Sequence, residues 1–431
     1  MNRNIENVNK DKFVFVSEAE KEVEDTRPSL TYWADAWRRL KKNRMAMVGL
    51  VGVILIILFG VAGPYLFDAS YSDQKNEFKN LGPRLSVYEI DDGLFINVSK
   101  DYNMFVVTGE GANLEYLPEI EKKEVLQGRS NVGEILSPAQ IREQREKEKQ
   151  ENQNLNIKLY EYQGEQILLD YSNMVTGNEV IGDFDLAITY KENTVNQPVD
   201  KVFNKAYPFG TDGLGRDLLI RVMYGARISL LVAFIATIVN FIIGVTYGAI
   251  SGYEGGRADT IMMRIVDIIN SVPLVLYIIL LMVMVDSQGG LGTIILAIGT
   301  VYWVGMARLV RGQILALKEQ EFILAARALG VSRTKIIFKH LIPNAMGPII
   351  VSMTMMIPSA IFTESFLSFI GLGVSAPMAS WGTLANNALS GILTYPYQLF
   401  FPAFAIALTM LAFNFLGDGL RDALDPRLRK G

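Results

Sequence analysis

The sequence predicts an all-α polytopic membrane protein of six transmembrane helices, with an α+β domain inserted between the first and second. Three observations predict it. Half of the 431 residues are hydrophobic, and the apolar residues gather in runs of roughly 18 or more, the length a helix needs to cross a hydrocarbon core. Lys and Arg concentrate in short segments between some runs and are absent from others. Between the first and second runs lie about 135 residues with no apolar stretch of membrane length.

The chain divides in order. Residues 1–44 are a polar cytoplasmic tail ending in an interfacial helix, where Trp33 and Trp37, four apart, share one face ahead of Arg38, Arg39, Lys41, Lys42 and Arg44. Residues 45–67 form the first span. Its apolar run starts too late and runs too long for a cleavable secretory signal, so it is read as retained. Residues 68–205 are the insert, 206–418 hold spans two to six, and 419–431 are a C-terminal tail. The later spans are expected near 222–250, 261–286, 290–310, 344–370 and 399–418. Basic residues before span one, between spans four and five (Arg308, Arg311, Lys318, Arg327, Arg333, Lys335, Lys339) and after span six place both termini in the cytoplasm and the insert outside, because cytoplasmic links hold the excess of Lys and Arg.

The insert is acidic. Residues 71–200 carry 13 Lys and Arg against 24 Asp and Glu, a balance of −11 against −4 for the whole chain, which leaves +7 for the remainder. Alternating runs on either side of Asp92-Gly93 and of Gln163-Gly164 predict two β-hairpins. Ser137-Pro138-Ala139-Gln140 has the order of a helix N-terminus, and the following IREQREKEKQEN, with Glu143 four before Lys147, predicts a solvated helix. The absence of cysteine excludes disulfides, thiol catalysis and thiolate metal sites, and His340 is the one histidine. The insert shows no catalytic constellation, which favours a structural or docking domain; no enzyme activity and no bound metal are expected.

The most informative stretch is the cytoplasmic link EFILAARALGVSRTKIIFKHLIPN, Glu321 to Asn344. Helix formers run to Leu329, Gly330 supplies a left-handed stop, and Ser332 can cap a second short helix ending at Pro343. The small Ala325 and Ala326 would let another protein's backbone come close to this elbow. The link resembles the signature of ABC importer permeases: Ala325, Ala326, Gly330, Ile342 and Pro343 match, whereas the usual acidic position is Leu324. By that resemblance Glu321, Ala325, Ala326, Gly330, Ile342 and Pro343 form the coupling element that receives an ATP-hydrolysing subunit, and the fold is that of type I ABC importer permeases.

Four further stretches are similar to the C-type permease subunit of oligopeptide, dipeptide and nickel importers: WADAWRRLKKNRMAMVGL at the entry to span one, YPFGTDGLGRDLLIRVMYGARISL before span two, ESFLSFIGLGVSAPMASWGTLANNA after span five and LGDGLRDALDPR toward the end. The matches cover roughly 300 of the 431 residues and leave out the insert. The glycines of the second stretch do not form a phosphate loop, since no GK[ST] follows; they allow a tight turn in which Asp212, Arg216 and Asp217 can pair. Charges inside spans are functional candidates by default. Glu364, Asp267 and the helix-bending Pro358 are candidates for the translocation path, and Pro273 bends span three; for Glu364 a structural carboxylate bonded to a neighbouring helix is the equal alternative, and for Asp267 an interfacial ion pair with Arg264 is the favoured reading.

The resemblance implies a peptide importer in the bacterial cell membrane, in which this subunit pairs with a homologous B-type permease. Two ABC ATPases bind ATP and Mg, an extracellular substrate-binding lipoprotein delivers the peptide, and this chain binds no cofactor and no nucleic acid. The same architecture carrying nickel chelates, sugars or signalling peptides is the alternative of the same class. A membrane-anchored surface scaffold or receptor is the alternative of another.

Overall fold

The computed structural model describes residues 32–67, 69–112, 114–120, 157–171, 186–191, 193–284 and 290–425. Helix α1 (Tyr32–Lys42) is short and amphipathic, with Trp33 and Trp37 both about half exposed. The side chain of Asn43 then caps α2 (Arg44–Val61) by accepting from the Ala46 N–H at 3.2 Å. Along α2 the buried residues are Ala46, Gly49, Val53, Ile56 and Gly60, alternate steps of three and four that form one stripe. That stripe lies on α11 (Tyr397–Leu424) and α3 (Leu218–Glu254), while Val48, Val51, Ile54, Leu55 and Leu58 face outward. A Gly63-Pro64 turn ends the element.

The 37 residues of α3 make a rod of about 55 Å, which runs from the insert end of the bundle to the far end. Its Gly244, Gly248 and Gly252, four apart, meet α7 (Trp303–Leu317) backbone to backbone. A Cβ on Gly248 would stand 2.3 Å from the Ala307 carbonyl oxygen. We expect Gly248→Val to destabilise the purified protein by about 1–3 kcal/mol through overpacking. Gly305→Ala, where a Cβ meets nothing within 4 Å, should leave thermal unfolding unchanged. Equal melting of the two variants would refute this account of the α3–α7 seam.

The third predicted span is not one straight helix. Helices α4 (Gly256–Ser271) and α5 (Leu274–Met284) meet at 90°. Pro273 has no N–H to donate and forces Val272 into an extended conformation, φ −86° and ψ 127°, so the helical ladder stops there. The fourth apolar element comprises α6 (Leu291–Val301) and α7, nearly continuous through Tyr302, and runs to Leu317 rather than 310. After α8 (Glu321–Ala328) the chain forms one helical run, Arg333–Leu372, whose central α-helix is α9 (Ile342–Leu367).

Pro343 does not end a helix, contrary to the sequence reading. The turn Ile336–Leu341 before it is π-helical, and the wider turn gives the proline ring room where an α-turn would clash. A short α10 (Trp381–Asn387), closed by a Ser380–Thr383 capping box, precedes α11. Among the described residues five helices are long and apolar enough to cross a membrane, and six if the bent pair counts as one span.

Apart from a 3₁₀ turn at Asn76–Phe78, the regular structure in the described part of the insert is β. Strands β1 (Arg84–Asp91), β2 (Leu94–Val98), β3 (Met104–Val107), β4 (Glu115–Leu117) and β9 (Asp200–Phe203) form one antiparallel sheet in the order β4-β3-β2-β1-β9. Strands β5 (Ile157–Tyr162), β6 (Glu165–Asp170), β7 (Ala187–Tyr190) and β8 (Asn193–Val195) form the second, in sequence order. Tyr88, Ile96 and Met104 of the first sheet pack with Ile167, Leu169 and Ile188 of the second, making a sandwich core. Both predicted hairpins form. Gln163 and Gly164 both have positive φ, 51° and 84°, as a two-residue turn that follows strand twist requires. The predicted helix at IREQREKEKQEN, and the Ser137 cap before it, lie outside the described residues.

The insert and the turn that follows it are tied to the first residues of α11 and the segment before them. Lys100 Nζ donates to the Thr394 carbonyl at 2.7 Å, Gln398 Nε2 donates to Asn80 Oδ1 at 2.9 Å, and the Tyr397 hydroxyl donates to the Thr211 carbonyl at 3.0 Å. Tyr395 donates to Asp101 at the same seam.

Candidate functional site

At the far end of α3 the elbow is built on a Schellman stop. Gly330 has φ +72°; its N–H donates to the Arg327 carbonyl at 2.9 Å, and the Val331 N–H donates to the Ala326 carbonyl at 3.1 Å. Ser332 precedes the next helical turn, but its side chain makes no capping bond. Ion pairing of Arg333 with Glu254 (3.3 Å) and stacking of Arg327 over Tyr253 hold the elbow to the end of α3.

The elbow's faces differ from the sequence expectation in one respect. Ala326 is buried and, with Ile323, packs on Val245, Met306 and Ile336, so it points into this chain's own core. Glu321, Ala325, Gly330 and Pro343 are exposed, and Ile342 is half-buried. Sequence reasoning missed Phe322, Leu324 and Leu329, which are 43, 47 and 83% exposed; Phe322 and the C-cap residue Leu329 share one side of the elbow, while Leu324 stands about 200° around α8 from Phe322. The signal was present: apolar residues recur on two faces of this helix, and only one can serve the core.

At the insert end, Asp212 organises a turn. Its Oδ1 accepts from the Leu214 and Arg216 N–H groups at 2.9 and 3.0 Å, and its Oδ2 accepts from Arg216 Nε at 2.7 Å. Gly215, φ +71°, lies so close to Lys75 that a Cβ would sit 1.8 Å from its carbonyl oxygen. Asp217 does not join the pairing. It caps α3, accepting from Leu219 and Ile220 N–H at 2.8 and 3.3 Å, and burial pushes its carboxyl above the usual range against the pull of those amides. The third charged partner is Arg221, unmarked in the sequence reading. Its Nε stands 3.4 Å from Asp212 Oδ2, and its Nη1 donates to the Tyr71 carbonyl at 3.1 Å. Arg216 and Arg221 are 7 and 2% exposed, and both border a cavity of about 560 Å³ with Thr383, Asn386, Asn387 and Gln398.

The three path candidates separate. Glu364 is fully buried: Oε2 accepts from Ser229 and Ser365 at 2.8 and 3.4 Å and Oε1 from Ser368 at 2.8 Å. Through Ser229 it fastens α9 to α3, the arrangement of a carboxylate bonded to a neighbouring helix. Pro358 is likewise buried inside α9. Asp267 is half exposed on α4 and pairs with Arg308 at 2.8 Å; Arg264, the partner expected from sequence, stands at 3.9 Å.

A bundle of membrane-length helices joined by a capped elbow with exposed apolar side chains defines the class, a membrane transport permease. The chain belongs to the family of binding-protein-dependent transport system inner membrane components, whose profile matches residues 244–430, and residues 31–83 match the N-terminal transmembrane domain of oligopeptide transport permease C. It is a transporter subunit and not an enzyme. It is 54% identical over 231 residues to the oligopeptide transport system permease protein OppC of Bacillus subtilis (strain 168), covering 54% of this chain and 75% of that protein. It is 38% identical over 420 residues to the dipeptide transport system permease protein DppC of the same organism, covering 97 and 93%. The DppC of Lactococcus lactis subsp. cremoris (strain MG1363) is 34% identical over 98% of this chain and 99% of its own length. Both DppC alignments run through the insert. Among solved structures, an inward-facing MetNI methionine ABC transporter chain aligns with 48% of this chain and 96% of its own at 21% identity, TM-score 0.40.

Proposed function

We propose that the chain is one of two permease subunits of an ATP-driven importer of oligopeptides or dipeptides. It spans the membrane six times in the manner of type I ABC importer permeases, the bent α4–α5 pair being the third span. The elbow and both termini face the cytoplasm, and the sandwich faces outward. A homologous permease completes the path, two ATPases carry ATP and Mg, and an external binding lipoprotein supplies the peptide. The carrying observation is the elbow: an α-helix ended by Gly330, seated on α3 and α7, with Phe322 and Leu329 left exposed on one side and Leu324 on the other. Apolar side chains exposed on both flanks of a short helix are what a protein groove would cover. Glu321, Ala325, Gly330 and Pro343 lie around them as coupling residues, while Ala326 and Ile342 act by seating the elbow on the core.

Transport follows only if ATP favours one arrangement of the permease pair over the other, since a ligand shifts an equilibrium by no more than its differential affinity. The cargo is tested with an amino-acid auxotroph given that amino acid only within a di- or tripeptide. Growth should require this chain and return with the cloned gene. Growth undiminished by its deletion, with nickel-dependent growth lost instead, would reassign the cargo.

A further inference from the structure

We propose that the cavity bordered by Arg216 and Arg221 is a carboxylate site that takes the free C-terminal carboxylate of a peptide cargo. The proposal rests on the peptide reading above and goes beyond it, to a subsite on this chain. Charge is the first argument. Among the residues bordering the cavity the ionisable groups are Asp212, Arg216 and Arg221, so one guanidinium charge is left over. Asp212 is already engaged by two backbone amides and by Arg216 Nε. No charge arrives from the far wall, because the sequence from Gly371 to Phe400 contains no Asp, Glu, Lys or Arg.

Unsatisfied donors are the second. A guanidinium carries five N–H groups. Arg216 uses Nε and Arg221 uses Nη1, while the buried Arg221 Nε faces Asp212 Oδ2 at 3.4 Å; the unspent donors are the terminal nitrogens of Arg216 and Arg221 Nη2. Two arginines that are 7 and 2% exposed, with donors unspent, form a prepared oxyanion pocket, since a planar fork of donors matches a carboxylate.

Size and lining are the third. About 560 Å³ falls within the roughly 300–1,000 Å³ range of small-ligand sites, and Thr383, Asn386, Asn387 and Gln398 offer uncharged polar groups suited to a peptide backbone. A peptide amide, lacking the negative charge, would forfeit the charge-assisted bonds.

The test uses the full chain, copurified with its partner subunits in lipid nanodiscs and titrated with trialanine and with trialanine amide. The wild type should bind the free acid at least about tenfold tighter than the amide, the scale of a hydrogen bond to a charged group. Arg216→Gln should abolish that preference by weakening the free acid more than the amide. Where the Gln variant does not accumulate, Arg216→Lys, which keeps the charge but not the fork, is titrated instead and should lower the preference by about threefold or more. Equal affinity for acid and amide in the wild type, or a preference that neither variant shifts, overturns the proposal. So does a variant that loses the binding lipoprotein while keeping the preference, because the carboxylate then belongs to a protein side chain. Growth on peptide is scored separately, so failure of this cavity leaves the transport reading standing, and failure of growth refutes that reading by itself.

Discussion

Replacing Gly330 by proline should abolish import while leaving the protein in the membrane at its normal level. The position tests the backbone alone, because a Cβ there would meet nothing within 4 Å. At φ +72° an ordinary L-residue is strained by about 1–2 kcal/mol. Proline cannot adopt that angle at all, and it also deletes the N–H that donates to the Arg327 carbonyl. The substitutions should therefore rank Asn, Ala, Val, Pro in rising severity, asparagine being the side chain that best tolerates the left-handed region.

The expected damage is to coupling rather than to folding. Proline at 330 removes one Schellman bond and drives Leu329 out of the helical region, so the chain leaves α8 in another direction and the exposed Phe322, Leu324 and Leu329 are re-aimed. Helices α3 and α7 are held independently by the glycine seam. With the partner ATPases present, hydrolysis should continue but lose its link to peptide import. Normal import by the proline variant would remove the elbow from the mechanism.

How far the sequence discloses this molecule depends on whether a feature is local. Apolar run length located the five membrane-length helices found among the described residues, and positive-φ positions such as Gly330 and the Gln163-Gly164 turn were legible because a short stretch of chain determines them. The direction of Ala326 was not, because it is decided by Ile336 and Met306, which come from other elements. Proximity in sequence also misled at the insert end. Asp217 sits beside Arg216 but spends its oxygens on the first turn of α3, whereas Arg221, within the start of an apolar run, completes the charged turn. An arginine entering a membrane helix is itself a signal, and it was available. The 90° break was half visible: Pro273 marked a bend, and the extended conformation it imposes on Val272 converted the bend into a corner. The acidic insert stood outside the recognised family pattern, yet two dipeptide permeases align through it.

Glu364 distinguishes a structural carboxylate from a transport residue, and its two variants should separate sharply. Its oxygens accept from Ser229 on α3 and from Ser365 and Ser368, and the Ser229 hydroxyl lies 3.4 Å from the Trp381 N–H. Trp381 in turn donates its indole N–H to the Val222 carbonyl at 3.0 Å and packs against Gly225. The cage thus joins α3, α9 and α10 at one buried point. Glu364→Ala leaves the Ser229 and Ser368 hydroxyls without their acceptor, at about 1–3 kcal/mol for each buried group, and opens a void besides. Its melting temperature in detergent should fall steeply, and import should fall with the amount of folded protein. Glu364→Gln keeps the shape and one acceptor oxygen, so melting and import should both stay near those of the wild type. The opposite pattern, a stable Gln variant that transports nothing, would show that the charge itself serves the cargo and that the cage opens during the cycle.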